Sequence, residues 1–145
     1  FEVALPPVEV QALCDRRLIN QALTNLLQNA ADSIAARAAA EEEPPQPLGH
    51  IRVALDITGS MICVAVEDDG VGLPGGEERE RLTEPYVTHK TKGTGLGLAI
   101  VKKIMEDHGG RLALRDAPGG QGARAELLLP ARVAELAVME RDDGA

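Results

Sequence analysis

Apolar positions change period several times along this chain, and each change marks an element. Val8-Glu-Val-Gln-Ala-Leu13 alternates, which predicts a first strand. Asp15 then stands where a helix N-cap would, and from Arg16 the pattern turns helical. At about 100° per residue, Leu18, Ala22, Leu23, Leu26, Leu27, Ala30, Ala31 and Ile34 fall on one broad side, so a helix is expected as far as about Ala40. Glu41-Glu-Glu-Pro-Pro-Gln-Pro-Leu-Gly49 cannot extend it, because clustered prolines remove donors and clash with the preceding turn. Ile51–Ile57 and Met61–Val66 follow as strands around Thr58-Gly-Ser60, an antiparallel hairpin. From Gly70 to Gly97 the chain is polar and glycine-rich, with one short helix near Glu77–Leu82. Leu98–His108 is amphipathic and is stopped by Gly109-Gly110, where a left-handed cap costs least. Arg111–Arg115 and Ala123–Leu129 close a last hairpin, and Val133–Arg141 is either a terminal helix or a tail.

The order strand, helix, strand, strand, lid, helix, strand, strand has one compact solution. It is an α/β (α+β) two-layer sandwich: a mixed sheet of about five strands with about three helices on one face. One domain over residues 1–130 is expected, with a mobile segment at 73–97 and a short tail at 131–145. No internal repeat is visible.

Composition narrows the function classes. Apolar residues make up 44% and charged residues 26% of the 145 positions, an ordinary globular balance. A net charge of −8 argues against a general nucleic-acid binder, which needs a basic face to displace counterions. Phe1 and Tyr86 are the whole aromatic content, so a base-binding pocket here depends on aliphatic walls and hydrogen bonds. Cys14 and Cys63 lie in apolar segments and read as two buried thiols in a reducing, cytoplasmic setting. There is no run of about 18 apolar residues and no signal-peptide pattern. A chain that starts with Phe rather than Met is expected to be a piece of a longer protein.

Candidate chemistry gathers in three stretches. Asn25 and Asn29 are four apart on the first helix and share a side of it. An amide oxygen is a sensible ligand for magnesium, which prefers oxygen and keeps waters and phosphates as most of its shell. Hydrogen bonding to backbone at a helix edge is the alternative. Asp68 ends an apolar strand, and Gly70 and Gly72 let the following backbone turn sharply. Such a carboxylate accepts from the amino group of adenine and repels the carbonyl that guanine carries there, which favours ATP over GTP; a plain turn is the alternative. Asp69 is expected to face solvent. Gly93-Thr-Gly-Leu-Gly97 runs straight into a helix, whose free amides can receive phosphate oxygens. His89, Lys90 and Lys92 add positive charge nearby, either for phosphates or simply solvated. The chain has no Gly-x-x-x-x-Gly-Lys-Ser/Thr string, and the charged 77–92 stretch with Pro85 cannot be the strand that a dinucleotide-binding turn requires.

The ordered set resembles the catalytic ATP-binding domain of sensor histidine kinases, within the wider group of gyrase, chaperone, kinase and mismatch-repair ATPases. Asp15–Ala30 looks like the N box, Asp68–Gly72 the first glycine box, Glu84-Pro-Tyr86 the F box and Gly93–Gly97 the second glycine box. Glu84–Lys90 and Val101–Gly110 look most like the nitrogen-regulation kinases of the membrane-anchored NtrY type. The resemblance implies ATP and Mg2+ as ligands, with Asn29 holding the metal and Asp68 the adenine amino group. It implies nucleotide contacts from Asn29, Asp32, Asp68, Gly70, Gly72, Tyr86, Lys90, Lys92, Gly93, Thr94, Gly95, Leu96, Gly97 and Leu98, and catalytic roles for Asn25 and Lys90.

Departures from the pattern sharpen this. Hydrolysing relatives carry a glutamate four residues before the metal-binding asparagine, and this chain has Asn25 there, which favours transfer to a protein acceptor. Thr83 replaces a large apolar residue of the F box and Tyr86 its second phenylalanine; Ala123 and Ala125 stand where threonine and phenylalanine are usual. His50, His89 and His108 lack the His-Glu-x-x-x-Pro setting of a phosphoacceptor. The resemblance therefore implies a monomeric module that phosphorylates a histidine on a separate dimerisation domain, within a homodimeric, membrane-anchored sensor that signals to a response regulator. A hydrolysing ATPase of the same fold and a nucleotide-binding scaffold are the alternatives.

Overall fold

The computed structural model describes residues 1–6, 12–44, 46–84 and 97–131. Its elements are β1 (Glu2–Ala4), α1 (Arg16–Ala39), β2 (Ile51–Thr58), β3 (Met61–Asp68), α2 (Gly76–Glu80), α3 (Gly97–Asp107), β4 (Arg111–Asp116) and β5 (Ala123–Pro130). The strands form one five-stranded sheet in the order β1-β2-β3-β5-β4. β1 runs parallel to β2 and every other pairing is antiparallel, so the sheet is mixed as expected.

Local chemistry fixes the helix ends. The Asp15 carboxylate accepts from the backbone N–H groups of Arg17 at 2.9 Å and Leu18 at 3.3 Å, capping α1 as its position in the sequence predicts. α3 ends where Gly109 adopts φ +72°. There the Gly109 amide donates to the Glu106 carbonyl and the Gly110 amide to that of Met105, the paired bonds of a Schellman cap. The α1 and α3 ends are also tied together, since the Asp15 amide donates to Nε2 of His108 at 3.0 Å while Nδ1 of that ring donates to the Ile104 carbonyl.

Ala22, Leu26, Ala30, Ile34 and Ala38 are the buried residues of α1, each four on from the last, so one narrow stripe faces inward. With Val101, Ile104 and Met105 of α3 and Val66, Leu127 and Leu129 of the sheet, the first three form the core between the two layers. Burying a side chain such as Val101 or Met105 is worth about 1.5–3 kcal/mol each. The alanines let α1 lie close to its neighbours, and no described aromatic ring is needed to fill the layer.

Strand alternation sends the next residues to the opposite face. There Arg52, Glu67, Arg124 and Arg115 stand in one cross-strand row. Arg124 pairs with Glu67 and, at 3.0 Å, with Glu126, which also accepts from Arg115 at 2.6 Å.

Three expectations need correction or relocation. The first strand was expected at 8–13, but the edge strand is Glu2–Ala4; Ala12 and Leu13 belong to no strand, and 8–11 lie outside the described residues. Phe1-Glu2-Val3-Ala4-Leu5 alternates equally well, and pairing of Val3 with Val53 decides between the two. Cys14 is exposed rather than buried, because it precedes the N-cap and, among the described residues, no element packs over it, whereas Cys63 is buried. Among the described residues the helices packed on the core are α1 and α3, while the five-residue α2 has no buried residue. The Val133–Arg141 segment lies outside the described residues.

Candidate nucleotide site

α1, the end of β3 and the start of α3 converge where the core gives way to polar groups. Asn25 and Asn29 are both half-buried on α1. A Cβ built on Gly97 would stand 3.9 Å from Oδ1 of Asn29, so that amide lies beside the first turn of α3. The first amides of a helix have no intrahelical partner, and here they begin next to a side-chain oxygen. Leu98 packs its side chain against the core, which leaves its backbone amide as the group it can offer a ligand. Asp32, one turn beyond Asn29, accepts from Nε2 of Gln28 at 2.9 Å.

Asp68 closes β3 and is only 8% exposed. Burial pushes its carboxyl above the usual range, opposed by hydrogen bonds from the Gly70 and Ala123 amides and the Ser33 hydroxyl. The Gly70 amide donates to Oδ1 at 2.9 Å. Among the described residues no cation pairs with this carboxylate. Ala123, where the resemblance led us to expect a threonine, reaches Asp68 through its backbone instead.

The turn after Asp68 is held from several sides. A Cβ on Gly70 would lie 2.3 Å from Oγ of Ser33 and 2.5 Å from that residue's carbonyl carbon, so only glycine allows the turn to touch α1. The Val71 amide donates to Oγ of Ser33 at 3.0 Å, and Nε2 of Gln121 donates to the Gly70 carbonyl. Gly72 has φ +84° and faces Gly122, which has φ +94°. A Cβ on Gly122 would stand 1.9 Å from the Asp68 carbonyl oxygen. Beyond the turn, Nη2 of Arg79 reaches Asp116 at 2.7 Å and its Nε reaches the Pro74 carbonyl at 2.9 Å, which ties α2 to the end of β4.

Asp69 keeps a solvent-facing side, its side chain being 35% exposed, but it also has partners that the sequence did not suggest: its carboxylate accepts from the His50 amide at 2.8 Å and stands 3.0 Å from Nδ1 of the His50 ring. Burial would raise its proton affinity, but the His50 hydrogen bonds and charge outweigh this and hold the carboxyl below the usual range. Sequence reasoning also missed Ser33, Arg37, His50 and Gln121. Only Ser33 carried a signal, four residues after Asn29 on the same side of the helix. Tyr86, Lys90, Lys92, Gly93, Thr94, Gly95 and Leu96 lie outside the described residues.

A buried carboxylate without a cation among the described residues at one end and an amide oxygen beside a helix N-terminus at the other suit a ligand that is a hydrogen-bond donor at one end and an anion at the other. Residues 14–133 match the model of the histidine kinase-, DNA gyrase B- and HSP90-like ATPases. The chain belongs to that family. It is 50% identical over 133 residues to the nitrogen regulation protein NtrY of Azorhizobium caulinodans, covering 90% of this chain and 16% of that protein. It is similar in structure to the mycobacterial sensor histidine kinase MprB, with TM-score 0.70 and 31% identity over 89% of this chain and 79% of that one. The catalytic domain of histidine kinase ThkA, in a nucleotide-free form, gives TM-score 0.71 and 30% identity over 90% of this chain and 78% of that one. The fold is therefore the two-layer sandwich of histidine-kinase ATPase domains, and the chain is an ATP-binding catalytic domain of the sensor-kinase kind. It spans only a small part of the NtrY length. Among the described residues no helix is long and apolar enough to cross a membrane.

Proposed function

We propose that this domain binds ATP with Mg2+ and donates the γ-phosphoryl group to a histidine on a separate dimerisation domain of a two-component sensor, which then passes it to a response regulator. The observation that carries the proposal is the combination of a buried Asp68, with which no cation among the described residues pairs, and an Asn29 oxygen beside the α3 N-terminus. Asp68 accepts the adenine amino group, while the amides of Gly97 and Leu98 receive phosphate oxygens. Asn29 is the protein ligand of the metal; among the described residues no cluster of acidic, His or Cys side chains competes for that role, and an amide oxygen suits magnesium. The ion supplies neutralisation of phosphate charge when bound.

In the transfer, the lone pair of a neutral imidazole nitrogen attacks the γ-phosphorus, the bond to the β-bridging oxygen breaks, and ADP leaves. The domain's own share is positioning and charge stabilisation, with Lys90 and Lys92 and the amides of Gly93, Thr94, Gly95 and Leu96 completing the phosphate site, Tyr86 and Asp32 lining it, and Gly70 and Gly72 shaping the adenine turn. Asn25 cannot take a proton from water as a glutamate would, so transfer is favoured over hydrolysis.

The test supplies the histidine-bearing dimerisation domain of the full-length protein with γ-labelled ATP and this domain. Acid-labile label on the acceptor is expected, and Asn29→Ala should abolish both it and the magnesium dependence of ATP binding. Steady phosphate release without acceptor labelling would replace this reading with a hydrolase, and ATP binding without either would replace it with a scaffold.

A further inference from the structure

The turn between Asp68 and Gly72 carries two adjacent carboxylates, and only one is accounted for by nucleotide. The second, Asp69, is engaged by a different part of the molecule. The connection from α1 arrives at β2 through Gly49 and His50, and this short piece presses directly on it: a Cβ on Gly49 would lie 2.6 Å from Oδ1 of Asp69 and 2.7 Å from Cγ2 of Ile34. His50 then closes on the carboxylate with both its amide and its ring. The Asp69 carbonyl accepts from Nη1 of Arg37, a residue of α1 that also lies 4.0 Å from Glu41. Asp69 is thus gripped through side chain and backbone at once, by the α1 helix and by the chain entering β2.

We propose that Asp69 is a positioning residue for nucleotide recognition: its bonds to His50 and Arg37 fix the 69–70 peptide, whose amide holds the Asp68 carboxylate, and so aim that carboxylate at the base. The physical reason is short range. Asp68 is held through its own oxygen by the Gly70 amide, two residues on, so any swing of the 69–70 peptide changes where the free side of the carboxylate points. Ser33 and Ala123 also donate to the Asp68 carboxylate, and Ser33 and Gln121 hold Val71 and Gly70, but none of these bonds is made to the carbonyl of the 69–70 peptide. Asp69 holds the peptide itself.

This inference rests on the reading of Asp68 as the acceptor of the adenine amino group, and the experiment separates the two. Calorimetric titration of this chain with Mg-ATP and with Mg-purine riboside triphosphate, which lacks that amino group, measures how much the amino group contributes. Asp69→Ala should cut the preference for ATP about 5- to 10-fold, the scale of one misaligned charge-assisted hydrogen bond, while leaving the analogue's affinity within about two-fold. Asp69→Asn keeps an acceptor for the His50 amide and should retain most of the preference. His50→Ala removes only the exposed ring, cannot threaten folding in the way Asp69→Ala can, and should lose about two- to three-fold of the same preference. Equal losses for both nucleotides, or no loss for either, would mean that Asp69 only stabilises the turn, and would overturn the proposal. A wild-type chain that binds both nucleotides equally would overturn the Asp68 reading first.

Discussion

Asp68 and Glu126 are both almost out of solvent, at 8% and 9% exposure, yet they lie on opposite faces of one sheet and in opposite company. Glu126 lies on the face away from the helices, between Arg115 and Arg124, with the Cys63 thiol at 3.8 Å. Burial alone would raise its proton affinity, but the two guanidinium groups outweigh it and hold the carboxyl below the usual range. Among the described residues Asp68 has amides and a hydroxyl and no cation, and burial wins. A buried carboxylate matched by arginines is complete; one matched only by neutral donors keeps capacity for one more. That difference, more than depth of burial, separates a group that serves the fold from one that serves a ligand.

The largest change comes from joining the two regions badly. Gly122 stands between the strand that carries Glu126 and the carbonyl of Asp68, so Gly122→Ala adds left-handed strain to a backbone clash and should cost roughly 3–5 kcal/mol in denaturant unfolding, with ATP binding lost as well. Asp68→Asn should lower ATP affinity by about 10- to 150-fold, a loss of roughly 1.5–3 kcal/mol, while the melting temperature of the nucleotide-free domain holds or rises. Unchanged ATP affinity in calorimetry would remove Asp68 from the site. Glu126→Gln should do the reverse, losing about 2 kcal/mol of stability to chemical denaturation with ATP affinity within about two-fold.

The smallest effect is one of pH. The folded pKa of Glu126 is depressed, so its contribution is complete above the unfolded value and fades as pH falls through the folded one. The folded pKa of Asp68 is raised, so ionising it costs stability above that value, and the cost disappears as pH falls towards the unfolded value. The stability gap between wild type and Glu126→Gln should therefore close in acid, below the ordinary glutamate range. The gap between wild type and Asp68→Asn should close in acid too, from the other sign and at higher pH. Thermal melts of the three proteins across pH test both directions.

How much of this was legible in the sequence depended on whether a single element carried the signal. The Asp15 cap, the α1 stripe, the β2–β3 hairpin and the Gly109-Gly110 stop are each written within a few residues, and all are present. The edge strand was missed because two alternating stretches, 1–5 and 8–13, compete for one place beside β2, and alternation says nothing of pairing. At the site, Asp68 and Asn29 could be found because a motif surrounds each. His50 and Arg37 could not, because their meaning arises only when residues 19 and 32 positions away fold against them. For the same reason the bonds that His50 and Arg37 make to the partly exposed Asp69 could not be read there.

Gly70 and Gly122 have a consequence for how such domains would decay. Each lies where an added carbon would meet another element's backbone, at 2.5 Å from Ser33 and 1.9 Å from Asp68 respectively, so both are demanded by packing with or without nucleotide. A descendant of this chain that had given up ATP would have to keep these glycines to stay folded, and would be free to lose Asp68, whose charge is a burden once nothing uses it. Glycines in such a descendant would attest ancestry, and the carboxylate would attest a living trade in nucleotide.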